Sequence, residues 1–266
     1  MMNTVSLSAA PEVAASVRMS ARRVAGAYLA EARSECVRYL RNPSFMLPIM
    51  LFPSLFYLLF GIVMGKSEGA DVARYLLASY GVFGVMSPGL FGFGVSLALE
   101  RDGGLLTYKR ALPMPPGAYL LGKMLMAILA AAAVILLLLA MGVGLAHVPL
   151  TARQAGLLLL TGTLGVLPFC ALGMLIGTLL KGQGAPGMLN LVYLPMSFLS
   201  GLWVPLNQLP KVLQQIAPIW PSYHLHQLGL AALGLDQADV AEQVGILAGF
   251  TVLFFVIAAR RLRRYG

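Results

Sequence analysis

Long apolar stretches, each about as long as a bilayer is thick, dominate this sequence. Six of them are predicted to span a membrane: residues 44–64, 75–99, 117–146, 154–180, 185–204 and 244–259. A spanning helix needs about 20 predominantly apolar residues, and only one of the six stretches contains a charged residue, Lys123. With 59% hydrophobic and 11% charged residues and a mean hydropathy of +0.81, the chain is predicted to be an all-α integral membrane protein.

The region 205–243 is ambiguous, because residues 212–235 carry no formal charge and are numerous enough to span. Pro218 and Pro221 interrupt the middle of this run, and Trp220 and Tyr223 are typical of the membrane interface. Two short re-entrant helices are therefore predicted here, on the outer side. The result is a topology of six spans, with both termini on the same side of the membrane.

The distribution of basic residues assigns the sides. In the six-span topology, fifteen of the 19 Lys and Arg residues lie on the side of the termini, and only Lys66, Arg74, Arg153 and Lys211 lie on the other. Because Lys and Arg favour cytoplasmic loops, both termini are predicted to be cytoplasmic, in a bacterial inner membrane. Lys123 lies close enough to the start of its span for its amine to reach the lipid headgroups.

The chain before the first span is predicted to form a mobile tail, residues 1–21, and an interfacial amphipathic helix, residues 22–41. Residues 22–266 would form one membrane domain. A helical wheel separates a polar arc from an apolar arc. The polar arc holds Glu31, Ser34, Glu35, Arg38 and Arg41, and the apolar arc holds Tyr28, Leu29, Ala32, Cys36, Tyr39 and Leu40. Pro43 ends this helix, because the residue before a proline is disfavoured in helical geometry.

A short charged stretch, residues 100–116, lies between the second and third spans. Six ionisable groups fall between Glu100 and Arg110, and we expect them to lie in water at the membrane surface. Two glycines end the preceding helix, and residues 105–112 are numerous enough for about two turns of a surface helix. From spacing alone, the stretch is either a docking helix for a soluble partner or a solvated loop whose basic residues hold lipid headgroups.

Several short sequence patterns resemble nucleotide-binding or metal-binding motifs, but none of them indicates such a site. Neither Gly65-Lys66-Ser67 nor residues 182–187 has the spacing and context of a nucleotide-binding loop. His224 and His226 lack further metal ligands, and Cys36 and Cys170 have no neighbouring Cys or His. The basic residues follow the edges of spans, so nucleic-acid binding is not indicated. We therefore predict a chain without catalytic residues, cofactor or metal, with energy supplied from elsewhere.

Within the spans, polar residues are few and uncharged. Glycine pairs four residues apart are expected to allow close helix packing, and they are Gly61 with Gly65, Gly173 with Gly177, and Gly245 with Gly249. A substrate path, if present, is expected to be lined by Ser79, Ser96, Asn190, Tyr193 and Phe198.

In combination, several segments resemble the permease subunits of type 2 ABC exporters. They are Arg41-Asn42-Pro43, Glu100-Arg101-Asp102-Gly103-Gly104, Leu112-Pro113, Gly122-Lys123, Ser200-Gly201-Leu202-Trp203-Val204-Pro205, Leu209-Pro210 and Pro218. The resemblance begins at about Ala21. It implies a six-span subunit that dimerises with a second permease copy or close homologue, lies in membrane lipid and pairs with two cytosolic ATPase subunits. ATP and magnesium would bind those ATPases.

The resemblance also implies a role for the charged stretch as the coupling helix that contacts the ATPase. The residues to which it assigns this role are Glu100, Arg101, Asp102, Gly103, Leu105, Lys109, Arg110 and Pro113. The exported substrate would be hydrophobic or amphipathic, in the class of drugs, lipids or glycans. The alternative is a membrane scaffold that transports nothing and uses the same stretch to dock a cytosolic partner.

Overall fold

The computed structural model describes residues 20–64, 69–111 and 115–265, and these residues form helices without any β-strand. The α-helices are α1 (Ala21–Leu40), α2 (Pro43–Phe56), α3 (Ala70–Ser87), α4 (Ser96–Asp102), α5 (Leu105–Ala111), α6 (Pro116–Gly144), α7 (Ala152–Leu164), α8 (Leu167–Leu179), α9 (Ala185–Leu199), α10 (Lys211–Ile216), α11 (Pro221–Leu233) and α12 (Val240–Tyr265). Two π-helical segments, Tyr57–Met64 and Pro88–Val95, continue α2 and α3.

Five helical stretches in the described part of the chain are long and apolar enough to cross a membrane. They are Met46–Met64, Asp71–Asp102, Gly117–Gly144, Ala152–Leu179 and Val240–Leu262. The all-α membrane architecture predicted from the sequence is therefore confirmed. Five of the six predicted runs correspond to these stretches, with ends that differ by a few residues.

The remaining predicted span, residues 185–204, is shorter than expected. Helix α9 has 15 residues and ends at Leu199, because Gly201 then turns the chain with a φ of +79°. Fifteen residues rise only about 22 Å, which is less than the hydrocarbon thickness of about 30 Å. The prediction that this helix continues to residue 204 is wrong, and the six-span topology stays a prediction.

The fourth span is divided near its middle, between α7 and α8. Gly165 lies at the break, where a Cβ atom would come within 2.2 Å of the Leu225 side chain. Leu225 belongs to α11, which packs against α7 and α12. The break therefore makes room for a helix from the ambiguous region.

That ambiguous region consists of short helices. Helix α10 has 6 residues and α11 has 13, and Gly234 ends α11 in a left-handed conformation with a φ of +75°. Neither helix reaches the length that a bilayer requires. The structure thus shows two short α-helices where a seventh span was the alternative.

The segments that connect the helices are hydrogen-bonded to one another at two opposite ends of the bundle. At one end, the backbone N–H of Gly182 donates to Asp102 Oδ2 over 2.6 Å. At the other end, Arg74 and Gln154 both donate to the carbonyl oxygen of Leu233, over 2.7 Å and 2.9 Å. This grouping agrees with the alternation of sides used to assign the basic residues.

Candidate functional site

Six charged side chains from four helices meet at the Asp102 end of the bundle. This charge cluster contains three acids, Glu31, Glu35 and Glu100, and three bases, Arg38, Lys109 and Lys123. The acids and bases balance, so the formal charge of the cluster is zero. The cluster connects α1, α4, α5 and α6.

Lys123 is the most deeply buried member of the charge cluster, with 0% of its side chain exposed. Its Nζ lies 2.8 Å from Glu100 Oε1 and 3.3 Å from Glu35 Oε2, and it donates to Ser96 Oγ over 2.7 Å. These three partners account for all three ammonium hydrogens. The prediction that Lys123 extends to the lipid headgroups is therefore wrong, because buried carboxylates offer it closer partners.

Glu100 is also buried, with 7% of its side chain exposed. Besides Lys123, it binds the Arg38 guanidinium and accepts a hydrogen bond from the Tyr119 hydroxyl over 2.5 Å. The prediction that Glu100 lies in water at the membrane surface is wrong. It lies in the last turn of a helix that continues from the second span, and its carboxylate turns toward α1 and α6.

Helix α1 deviates from the predicted wheel for the same reason. Glu35, assigned to the polar arc, is 2% exposed, because the charge cluster supplies its partners. Leu29 and Leu40 are 72% and 62% exposed, whereas Tyr39 is buried. Tyr28 is half-buried, with its hydroxyl close to Gly117 of α6. The burial of the Glu35 carboxylate is the departure from the predicted polar arc, whereas Leu29 and Leu40, on the predicted apolar arc, lie on the surface of the protein.

Arg38 lies at the edge of the cluster and is 44% exposed. Burial lowers the pKa of its guanidinium, but the carboxylates of Glu100 and Glu35 raise that pKa by more, and the net shift is upward. Arg38 therefore stays charged at every physiological pH and continues to neutralise the two buried acids.

Among the described side chains of α5, Lys109 attaches the helix to this cluster. Its ammonium group binds Glu31, lies 3.3 Å from Glu35 Oε1 and stands over the Tyr119 ring at 4.6 Å from the centroid. Cation–π contact adds to the ion pairs when the site is partly desolvated. These contacts join α5 to α1 and α6.

Arg101 and Asp102 bind a different part of the chain. Arg101 donates to the carbonyl oxygens of Thr178 and Leu180, over 2.7 Å and 2.6 Å, and so satisfies free carbonyls at the end of α8. Asp102 accepts from Gly182. These two residues hold the turn between α8 and α9, and their predicted contact with a partner stays a prediction.

The exposed surface of the charged stretch is therefore narrower than its sequence indicates. Asp102, Gly103, Gly104, Thr107 and Tyr108 are exposed, and Tyr108 is 64% exposed. Leu105 is half-buried. Of the remaining predicted coupling residues, Pro113 lies outside the described residues, and for Arg110 only the backbone is described.

Two residues predicted to line a substrate path, Ser79 and Ser96, make polar contacts with other helices of the bundle. Ser79 is 0% exposed, donates to the carbonyl oxygen of Tyr75 and lies 2.9 Å from His226 Nε2. Ser96 binds Lys123 of the charge cluster. Ser96 is half-buried and also borders a separate cavity of about 220 Å³, and a role of either serine in a substrate path stays a prediction.

The other three predicted path residues lie on one continuous face, formed by α2, α3 and α9. Asn190 and Tyr193 border a cavity of about 350 Å³, here called the Tyr193 cavity. Phe198 borders a larger cleft of about 750 Å³, called the Trp203 cleft, whose aromatic lining is Phe56, Phe60, Tyr75, Tyr80, Phe198 and Trp203. Both fall within or near the size range of small-molecule sites.

A series of aromatic rings connects the two cavities. Phe91 meets Tyr193 edge-on with centroids 5.3 Å apart, and Tyr193 stacks on Phe83 at 4.8 Å. Phe83 contacts Trp203 at 5.6 Å, and Trp203 contacts Phe56 at the same separation. We call this series the aromatic ladder. It runs along the face that carries Asn190, Tyr193 and Phe198.

The two histidines of α11 are occupied by contacts within the protein. His224 Nδ1 lies 2.6 Å from Gln243 Oε1, and its Nε2 lies 2.8 Å from the carbonyl oxygen of Pro218. His226 contacts Ser79 and meets the Tyr75 ring edge-on. Within the described part of the chain, no group of three or more His, Cys, Asp or Glu is arranged to hold a metal ion.

Sequence reasoning missed Glu35, Tyr119 and Lys123 as members of one site. A signal was available, since Lys123 is the only charged residue within any predicted span. Buried ionisable residues in membrane helices are paired, and Glu35 and Glu100 are acids near the same predicted membrane surface. Because Lys123 lies near the end of its predicted span, contact of its amine with lipid headgroups explained its presence there equally well.

Comparisons with known proteins assign a family to this arrangement. A family model described as ABC-2 type transporter matches residues 27–233. The chain is 31% identical over 232 residues to a Bacillus subtilis (strain 168) protein named "Putative transport permease YvfS", covering 85% of this chain and 92% of that protein. It is 28% identical over 215 residues to Nodulation protein J of Rhizobium leguminosarum bv. viciae, covering 77% and 79%. The match to the inner membrane transport permease YhhJ of Escherichia coli (strain K12), also 28% identical, covers 64% of this chain and 46% of that protein.

Proposed function

Because the chain belongs to the ABC-2 type transporter family, we propose that it forms the translocation path of an ATP-driven exporter and couples to separate ABC ATPase subunits through α5. The complex would contain two permease chains and two cytosolic ATPases, with ATP and magnesium bound by the ATPases. The substrate would be hydrophobic or amphipathic and would follow the aromatic ladder. The membrane would be the bacterial inner membrane.

The observation that carries this proposal is the two-sided environment of α5. One side is attached to the charge cluster through Lys109, and the other presents the exposed ring of Tyr108. A partner that binds Tyr108 and displaces α5 would therefore move α1, α4 and α6 together, because the six charged groups connect these helices. Exposed aromatic rings are frequent anchors of protein interfaces. Glu100 and Arg101 would support the coupling helix from within the bundle, and the exposed Asp102 would lie beside the docking surface.

We expect the substitution Tyr108→Ala to weaken ATPase binding by about tenfold or more, because removal of an interface anchor costs about 2 kcal/mol. Each variant is co-expressed with ABC ATPase subunits encoded in the same genome. Co-purification and the binding affinity of the ATPase are measured first, and the rate of ATP hydrolysis in lipid is measured next. Ile219→Ala is the matched control, since Ile219 is also 64% exposed but lies in the 205–243 region. Equal ATPase affinity of Tyr108→Ala and Ile219→Ala would contradict the proposal that the ATPase docks on α5.

Cysteine labelling tests the orientation. In a background with Cys36→Ser and Cys170→Ala, Thr107→Cys is expected to react with an impermeant maleimide only after the membrane is opened. Asp236→Cys should react in intact cells, because it follows α11 at the opposite end of the bundle. Gln183→Cys is the control for Thr107→Cys, since Asp102 holds its turn at the same end. Labelling of Thr107→Cys and Asp236→Cys from the same side would contradict the assigned topology.

A further inference from the structure

The face of α1 that lies opposite the charge cluster carries basic residues without acidic neighbours. Helix α1 has two acids, and both turn inward: Glu31 binds Lys109 and is 11% exposed, and Glu35 is buried. Arg33 and Arg41 are exposed, and neither forms an ion pair within the described part of the chain. Because both acids are used inside the bundle, the exposed face of α1 has a net positive charge.

Arg33 and Arg41 border an open groove of about 820 Å³, here called the α1 groove. The rest of its described lining is Ala30, Ser34, Val37, Arg38 and Asn42. Arg38 is already held by Glu35 and Glu100, so Arg33 and Arg41 are the guanidinium groups available to a ligand. They are eight residues apart, which is about 12 Å along a helix. The described lining contains no carboxylate that would repel an anion.

Apolar side chains lie exposed beside these arginines. Leu29 and Leu40 are strongly exposed, and with 3.6 residues per turn each lies within about 40° of Arg33 around the axis of α1. Exposed apolar surface continues beyond the groove, where Leu47 and Leu51 of α2 are also exposed. Apolar surface gains free energy when it leaves water. A ligand that fits this face is therefore both anionic and apolar.

An anionic phospholipid meets both requirements. Free phosphate would pair with the arginines but leave the leucines in water, and a zwitterionic lipid would bring its own ammonium group close to the guanidinium groups. The planar guanidinium fork matches phosphate oxygens, and basic residues beside apolar ones are typical of helices that bind anionic membrane surfaces. The groove ends at Asn42, and the first membrane-spanning stretch begins at Met46. This position favours a lipid over a soluble acidic protein.

We propose that the α1 groove binds an anionic phospholipid, with its phosphate group between Arg33 and Arg41 and its acyl chains over the exposed leucines. This site goes beyond the proposed export function and requires neither ATPase nor exported substrate. Arg38 borders the groove and also belongs to the charge cluster. The bound lipid would therefore lie next to the contacts that join α1 to α4 and α6.

Quenching of tryptophan fluorescence by brominated lipids measures the lipid preference of the full chain. Trp203→Phe and Trp220→Phe remove both tryptophans of the sequence, and Leu40→Trp then places a reporter beside the groove but outside its described lining. The chain is reconstituted in nanodiscs of phosphatidylglycerol and phosphatidylcholine, with one or the other lipid brominated. We expect this reporter to show binding of phosphatidylglycerol about 5- to 25-fold stronger than that of phosphatidylcholine, the effect of one to two arginines. A reporter introduced by Val252→Trp, on the exposed surface of α12, should show a ratio near one.

Two substitutions separate the charge from the apolar surface. Arg33→Gln and Arg41→Gln should each lower the preference for phosphatidylglycerol by up to about fivefold, and the double variant should lower the ratio to about one. Arg153→Gln is the matched control, because Arg153 is also exposed but lies at the opposite end of the bundle, next to Gln154. It should leave the ratio unchanged. Thermal unfolding of each variant shows whether the fold is retained.

Several results would overturn the proposal. Equal quenching of the Leu40→Trp reporter by the two brominated lipids would do so, as would an unchanged ratio in R33Q/R41Q or an equal loss in Arg153→Gln. Loss of the preference in inorganic phosphate, but not in sodium chloride of equal ionic strength, would assign the groove to a free anion. Weaker ATPase binding by R33Q/R41Q with an unchanged lipid ratio would mean that the ATPase covers the groove. Because the assay contains no ATPase, a failure here with Tyr108-dependent ATPase binding intact would leave the export function standing.

Discussion

Replacement of Lys123 by Met is expected to destabilise the protein by about 3–5 kcal/mol, the usual cost of removing one partner from a buried ion pair. The Met side chain would fill the space of the Lys stem, but Glu100 and Glu35 would lose a partner that lies within 3.3 Å of each. Arg38 and Lys109 cannot neutralise three acids. The loss is measured as a shift of the unfolding transition of the chain in nanodiscs.

The double variant K123M/E100Q is the control for this experiment. It removes one acid together with one base, so the formal charge of the cluster returns to zero, and the amide oxygen introduced by E100Q can still accept from the Tyr119 hydroxyl. We expect the double variant to be more stable than K123M alone. If it is the less stable of the two, hydrogen-bond geometry and not charge balance holds the cluster together.

Replacement of Gly177 by Ala is expected to cost about 1–3 kcal/mol, the typical penalty for an extra methyl group in a close-packed interior. The new Cβ would stand 2.6 Å from the carbonyl oxygen of Gly94, and backbone cannot move aside as a side chain can. Helix α8 would therefore separate from the π-helical segment Pro88–Val95. The same measurement of unfolding in nanodiscs applies.

The α12 glycines provide the matched control. A Cβ at Gly249 would meet no atom within 4 Å, so Gly249→Ala should leave stability unchanged or raise it slightly, because Ala favours a helix more than Gly does. The two pairs, Gly173 with Gly177 and Gly245 with Gly249, have the same spacing in the sequence. Equal effects of Gly177→Ala and Gly249→Ala would contradict the close approach of α8 to Pro88–Val95.

Several features of the charged stretch follow from the sequence. The end of the α4 helix at Gly103 and the short helix after it were predicted from two glycines and a stretch of charges, and α5 occupies Leu105–Ala111. The sequence did not reveal which charges face inward. Glu35 and Lys123 are separated by 88 positions, and they pair because α1 packs along α6. No local pattern records such a pairing.

The residues predicted to line a substrate path also differ in their surroundings. Ser96, Asn190, Tyr193 and Phe198 border cavities, whereas Ser79 is fully buried against His226 of α11. All five lie in apolar runs and differ little in the sequence around them. What separates them is the neighbour on each helix face, which depends on how the helices are arranged.

By itself, the sequence determined that the chain is helical and spans a membrane, because the cost of exposing backbone polar groups to lipid acts on every apolar stretch separately and depends only on its length and composition. Tertiary structure alone decided that α9 stops at 15 residues, that Lys123 is buried among carboxylates, and that Gly177 but not Gly249 touches another backbone. These outcomes depend on atoms brought together from distant positions. Charge neutralisation and close packing act over only a few ångströms, so they are settled only after the helices have met.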